Sequence, residues 1–411
     1  MNYTVFDKSM KKDYKILIPT MLPVHFKMIS NILKIYGYDT ELLENKADKE
    51  LGLKYVHNDT CYPAQVVIAQ LIGAIESGKY DIHKVALMIT QTGGGCRASN
   101  YISLLRKALD KAGYGFIPVI SINFVGLDES ALKFTLPMIF RIFAAIMFGD
   151  LIMYMKNQTL PYEVNKGECD RCEAELTDEL SVILTKKLPP STHSLKKYYR
   201  LIIDRFSKIP CKNFGKKTKV GIVGEIFVKF SPEGNNNLEK FLHTQDAEVR
   251  MGGLLDFCMY CVYNSIVDER LYGIGKKKAE IYKILYSYLL KKQQELIDII
   301  NQSGKYSPPT LFSNVTKLVD GFISLGVKMG EGWLLTAEIL ELIEQGVKCV
   351  VCVQPFGCLP NHIAGKGMIK NIKEHFPDVN ILPLDYDSGT SGVNQENRIK
   401  LMLSEKQLQN V

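Results

Sequence analysis

Short apolar runs alternate with longer amphipathic ones along most of the chain. "YKILIPT" (14–20) is a compact run of apolar residues, as in a buried strand. "VHFKMISNILKIYG" (24–37) spaces its apolar residues three and four apart, which predicts a helix. "TELLE" predicts a second strand, and "AQVVIAQLIGAIESG" a helix that Asp59 or Thr60 would cap. "KVALMIT", "ISLLRKALDKAGY" and "FIPVISI" continue as strand, helix and strand. This alternation means βαβ units on a parallel sheet. It predicts a first Rossmann-like α/β domain over 14–125 and, after it, a helical connecting segment over 126–215. "KVGIVGEIFVKF" opens a second alternation that returns at "KCVVCVQP", "GKGMIKNIKEHF", "NILPLDYD" and "NQENRIKLMLSE". The second Rossmann-like domain therefore spans 216–411, with a helical insert at about 255–345 that contains "ILYSYLLKKQQELIDII". The expected fold class is α/β, with two parallel-sheet domains and helical connections.

Composition narrows the setting. A chain of 411 residues, 46% hydrophobic, can bury a large core divided over two or three domains. The most apolar stretch, "FTLPMIFRIFAAIMFGDLIMYM", is broken by Pro137, Arg141 and Asp150, so no run is expected to span a bilayer and this one reads as a buried helix. The leader "MNYTVFDKSMKKDYK" lacks the apolar centre of a signal peptide, which predicts a cytoplasmic protein without membrane contact. Net charge is +7, with lysines concentrated between Lys186 and Lys219. That stretch reads as a solvated helix between domains or a dock for an acidic partner or anionic substrate. No zinc-finger spacing or RNA-binding aromatic motif points to nucleic acid.

Ten cysteines without a secretory leader argue for free thiols rather than a disulfide framework. Cys211, Cys258, Cys261 and Cys349 read as small apolar side chains. Cys169 and Cys172 form a lone Cys-x-x-Cys pair on a charged, helical segment, a weak metal signal by itself. Cys61 in "NDTCYPAQ", Cys96 in "TQTGGGCRASNY" and Cys358 in "QPFGCLPNH" differ, because each stands in a loop just before a predicted helix. In parallel sheets ligands gather at the carboxyl ends of the strands, so these three thiols could converge. A helix N-terminus also favours thiolate. Spacing alone leaves three options open: unrelated loop thiols, a zinc site, or an iron–sulfur cubane with one iron free for water or substrate. "TGGGCRAS" lacks the Lys-Ser/Thr ending of a phosphate-binding loop and the G-x-G-x-x-G pattern, which weakens a nucleotide reading.

"NDTCYPAQ", "TQTGGGCRASNY", "GEIFVKFSPEGNNNLE", "GEGWLLTAEI" and "QPFGCLPNHIAGKGM" together resemble the 2-hydroxyacyl-CoA dehydratase-type proteins. The similarity is greatest to the acyl-CoA dehydratase activase-related branch, to which the double-cubane cluster reductases are related. It runs from about residue 14 to 405. The resemblance implies an iron–sulfur cluster between Rossmann-like domains, a 4Fe–4S cluster or a double cubane, held by Cys61, Cys96 and Cys358. Cys352 is a further candidate, although its strand would turn it into the core. The resemblance also implies low-potential electrons from a separate ATP-hydrolysing activator with its own iron–sulfur cluster, acting in trans. The activity implied is radical dehydration of a 2-hydroxyacyl-CoA, by a homo- or heterodimer. The alternatives of the same fold are a non-catalytic electron carrier or cluster-assembly protein and a double-cubane reductase of small molecules.

Around the thiols, Gly93, Gly94 and Gly95 would let the backbone approach a cluster closely. Arg97, Ser99 and Asn100 could donate to cluster sulfides or a thioester oxygen, Asn361 could line the cofactor, and His362 could act as acid or base. Glu225 and Glu331 are loop carboxylates that could serve there or cap helices.

Overall fold

The computed structural model describes residues 3–90, 95–122, 132, 134–187 and 194–409. Two four-stranded sheets, all parallel, organise it. The first holds β1 (Lys15–Ile18), β2 (Asp39–Leu42), β3 (Val85–Thr90) and β4 (Val119–Ile122) in the order β2-β1-β3-β4. The second holds β5 (Lys219–Gly224), β6 (Glu248–Arg250), β7 (Cys349–Pro355) and β8 (Asn380–Tyr386) in the order β6-β5-β7-β8. The two α/β sheets read from the sequence are thus present, with one strand order used twice. Strand β7 is buried along its whole length, as a central parallel strand covered on both faces must be.

Helices Leu136–Thr159, Glu168–Thr185 and Leu195–Ser207 lie between the sheets in sequence, and four helices from Leu254 to Glu344 precede β7. The helix beginning at Leu136 is, by length and composition alone, apolar enough to cross a membrane, contrary to the reading that no run reaches that length. More than half of its most apolar stretch is nevertheless inside the protein. Its interrupting residues have protein partners: Arg141 donates to the Leu184 carbonyl, and Asp150 takes His25 Nε2 at 2.9 Å and the Leu254 N–H at 2.8 Å.

Two other expectations change. Within the lysine-rich stretch the helix Leu195–Ser207 is solvated on one face only: Lys197 and Arg200 are exposed, while Leu195, Tyr199, Ile202, Ile203 and Phe206 are buried in the largest apolar cluster. Cys169 and Cys172, on successive turns of one helix, are buried in that same cluster. Burial pushes Cys172 up to about 11, so both behave as core side chains.

The sheets meet through their loops and the helix Tyr62–Glu76. Tyr62, Val66 and Ala69 share an apolar cluster with Val220, Ile222 and Val353 of the second sheet. Polar ties cross the same seam: the Ala47 N–H donates to Glu233 at 2.9 Å, and Ser388 donates to Gln65 at 2.7 Å.

Candidate functional site

In each sheet the chain leaves its two central strands in opposite directions, so the loops at their carboxyl ends part and leave a crevice. Cys96 follows β3, Cys358 follows β7, and Cys61 is the N-cap of the helix that leads toward β3. Cys61 itself, rather than Asp59 or Thr60, starts this helix, with Pro63 fixing its first turn.

The three loops touch. The Tyr62 N–H donates to the Phe356 carbonyl at 3.0 Å. At Gly357, with φ +72°, an added Cβ would come within 3.2 Å of Cys61 Cα. At Gly330, with φ +55°, it would come within 2.9 Å of the Pro360 ring and 3.5 Å of Cys96 Sγ. Only glycine combines that backbone with that approach. Hence the segment before the helix Trp333–Glu344 wedges between the Cys96 and Cys358 loops. The thiols sense each other: a charge on Cys61 bears on Cys96, and one on Cys96 bears on Cys358. The Tyr101 hydroxyl reaches across to lie 3.0 Å from Cys61 Sγ.

Polar residues beside the thiols also hold these loops together. Arg97 donates to the Asp59 carbonyl, tying the Cys96 loop to the Cys61 loop. Ser99 spends its one O–H on the Cys96 carbonyl at 2.7 Å. Asn361 is fully buried and donates to the Val353 carbonyl at 2.6 Å, while its Oδ1 accepts from the Cys352 thiol at 3.7 Å. It opens a single π-helical turn, Asn361–Gly365, three residues after Cys358. Asn361→Ala is therefore expected to cost about 2 kcal/mol, because a core carbonyl loses its donor. Urea unfolding of the metal-free chain at neutral pH measures this.

His362 is exposed, and its Nδ1 lies 2.6 Å from the Cys358 carbonyl. A carbonyl only accepts, so Nδ1 carries a proton and the neutral ring leaves Nε2 free as a base. Cys352 points into the core, as its strand position implied, and burial pushes its thiol up to about 12. Gly95 lies against Met329, whose Sδ would be 2.8 Å from an added Cβ. Asn100 is exposed at the start of the next helix, whereas Gly93 and Gly94 lie outside the described residues.

Electrostatics reverse one expectation. Burial pushes Cys96 up to about 11, and Cys61 and Cys358 upward as well. The N–H groups of Ala98, Ala64 and Asn361 pull their thiols the other way but lose to desolvation. The metal-free thiols are thus protonated at neutral pH, although all three precede helical turns.

Two buried carboxyls complete the site. Glu225, the residue after β5, accepts the Val228 N–H at 2.9 Å, and Glu331 accepts the Ile226 N–H at 3.0 Å. Burial, then the charge of Glu331, raises Glu225 to about 8; burial also raises Glu331. The Glu331 charge bears on Cys96, Cys358, Tyr260 and Cys261. Nearby Lys229 is buried and paired with Glu338 at 2.7 Å. Three thiols and two carboxyls outweigh the Arg97 guanidinium that bears on Cys61, which suits a cationic ligand better than a phosphate. Among the described residues, no three His, Cys, Asp or Glu side chains close around a single ion. Three thiols from three separate loops are a donor set that suits the iron–sulfur cluster implied by the sequence.

Sequence reading missed two members of this site. Cys261 read as a small apolar side chain, yet it is exposed on its helix, where the Glu331 charge bears on it. Tyr101 was visible only as the last letter of the glycine motif. Neither carries a local signal, because both reach the site from helices whose packing brings them there. Compared with known proteins, the chain matches no family model and no curated sequence.

Proposed function

We propose that this chain is a cytoplasmic iron–sulfur protein of the 2-hydroxyacyl-CoA dehydratase type. Cys61, Cys96 and Cys358 hold the cluster, and a separate ATP-hydrolysing protein delivers low-potential electrons to it. The meeting of three cysteine loops, far apart in sequence, at the carboxyl edges of two parallel sheets carries this reading. A cluster bound there would supply a low-potential electron and, with only three thiolates, an open iron for a substrate oxygen.

The chain's own residues do the rest. The thiols give up their protons on binding, so loading strengthens with rising pH. Glu225 and Glu331 offset positive charge beside them and carry at least one proton at neutral pH. Exposed His362 would serve as the acid or base through Nε2. Arg97 and Ser99 keep the Cys96 loop in register with its partners.

Purification without oxygen, followed by iron and sulfide analysis, tests the reading first. A colourless chain with no labile sulfide would sink it. Mixing the loaded chain with the activator, ATP and a 2-hydroxyacyl-CoA then separates two outcomes. Enoyl product supports the dehydratase. A reduced cluster without product supports the electron-carrier alternative.

A further inference from the structure

We infer that Tyr101 sets the electron affinity of the thiolate site by donating a hydrogen bond to Cys61 Sγ. This rests on the reading of Cys61 as a cluster ligand. The Tyr101 hydroxyl lies 3.0 Å from that sulfur. Tyr101 opens the helix Tyr101–Ala112, five residues past Cys96, so the loop carrying one thiol provides a donor to another. A metal-bound thiolate has no proton, which leaves the tyrosine O–H as the only donor the pair can use.

Position gives the bond its weight. Cys61 is buried, and hydrogen bonds strengthen where the local dielectric is low. Reduction adds negative charge that is shared with the ligand sulfurs. A donor at one sulfur stabilises the reduced form more than the oxidised one and raises the potential. Tyr101 thereby keeps the cluster within reach of its electron donor. It is a positioning and tuning residue, since it acts through Cys61.

Redox titration of the loaded chain, followed by EPR, tests this in the Tyr101→Phe variant. Iron and sulfide content should stay at the wild-type level while the midpoint potential moves negative. The Fe–S(Cys) stretching bands in resonance Raman should shift with it. Tyr55→Phe is the control, because Tyr55 bonds Glu76 at 3.3 Å instead of a cysteine, and it should keep the wild-type potential. Replacing Tyr101 with 3,5-difluorotyrosine preserves shape and strengthens the donor, so the potential should move positive. Full iron with an unchanged potential in both Tyr101 variants would overturn the inference and leave the cluster reading intact. Loss of iron in Tyr101→Phe together with an unmoved potential in the fluorinated chain would also overturn it, leaving Tyr101 a purely structural role. A wild-type chain without iron and sulfide overturns both.

Discussion

Cys96→Ala, reconstituted without oxygen, should retain only a small fraction of the iron and sulfide of the wild-type chain. Its metal-free form should unfold within about 1 kcal/mol of wild type. The two halves of this expectation come from the same geometry. Cys96 is only half-buried, and its sulfur lies against the space beside Gly330 rather than inside an apolar cluster. Removing it creates little cavity. As one of three thiolates, however, it cannot be spared, because the two remaining ligands would leave two irons open. Cys352→Ala should behave the opposite way, keeping the cluster but losing about 1–2 kcal/mol from a packed core position. Since each thiol must lose a proton to bind, loading at limiting iron should improve between pH 7 and 9. Cys96→Ala with full iron, or Cys352→Ala without it, would remove the ligand assignment.

The fold was legible because its signals are local. "KILI", "VALMIT" and "CVVCVQP" are short apolar runs between helix-period segments, and each became a parallel strand. The three loop cysteines were legible for a related reason: strand ends and helix starts can be read one at a time, and parallel sheets send them all to one edge. What packing decides was not legible. Glu331 meets the Ile226 N–H across 105 residues of sequence. Cys261 comes from the middle of a helix and has nothing local to set it apart from a core thiol. The charge state of the thiols was misjudged because helix position is visible in sequence while burial is not. The loop-holding bonds of Arg97, Ser99 and Asn361 show the same limit, since their backbone partners are set by packing.

The carboxyl pair gives a second large effect, readable without any metal. Glu225 ionises near 8 in the folded chain against an ordinary value of 4.5, mainly because it is buried and secondarily because Glu331 lies close. Below about pH 4.5 folded and unfolded chains both hold this proton, and the contribution to stability is fully present. Between about 4.5 and 8 the unfolded chain releases the proton while the folded chain keeps it, so stability falls as pH rises. Above 8 the loss is complete and amounts to a few kcal/mol, on the order of 1.4 kcal/mol per pH unit crossed. Glu225→Gln keeps an oxygen to accept the Val228 N–H and removes the titration. The metal-free variant should therefore match wild type near pH 5 and exceed its stability increasingly toward pH 8. Glu239 and Glu341, each raised to about 7, tilt both proteins alike, so the difference between them is the diagnostic quantity. Parallel stability curves from pH 5 to 8 would show that Glu225 does not ionise in this way. Loading the site should shrink the difference, because a cationic core beside the pair replaces the positive charge that the proton supplied.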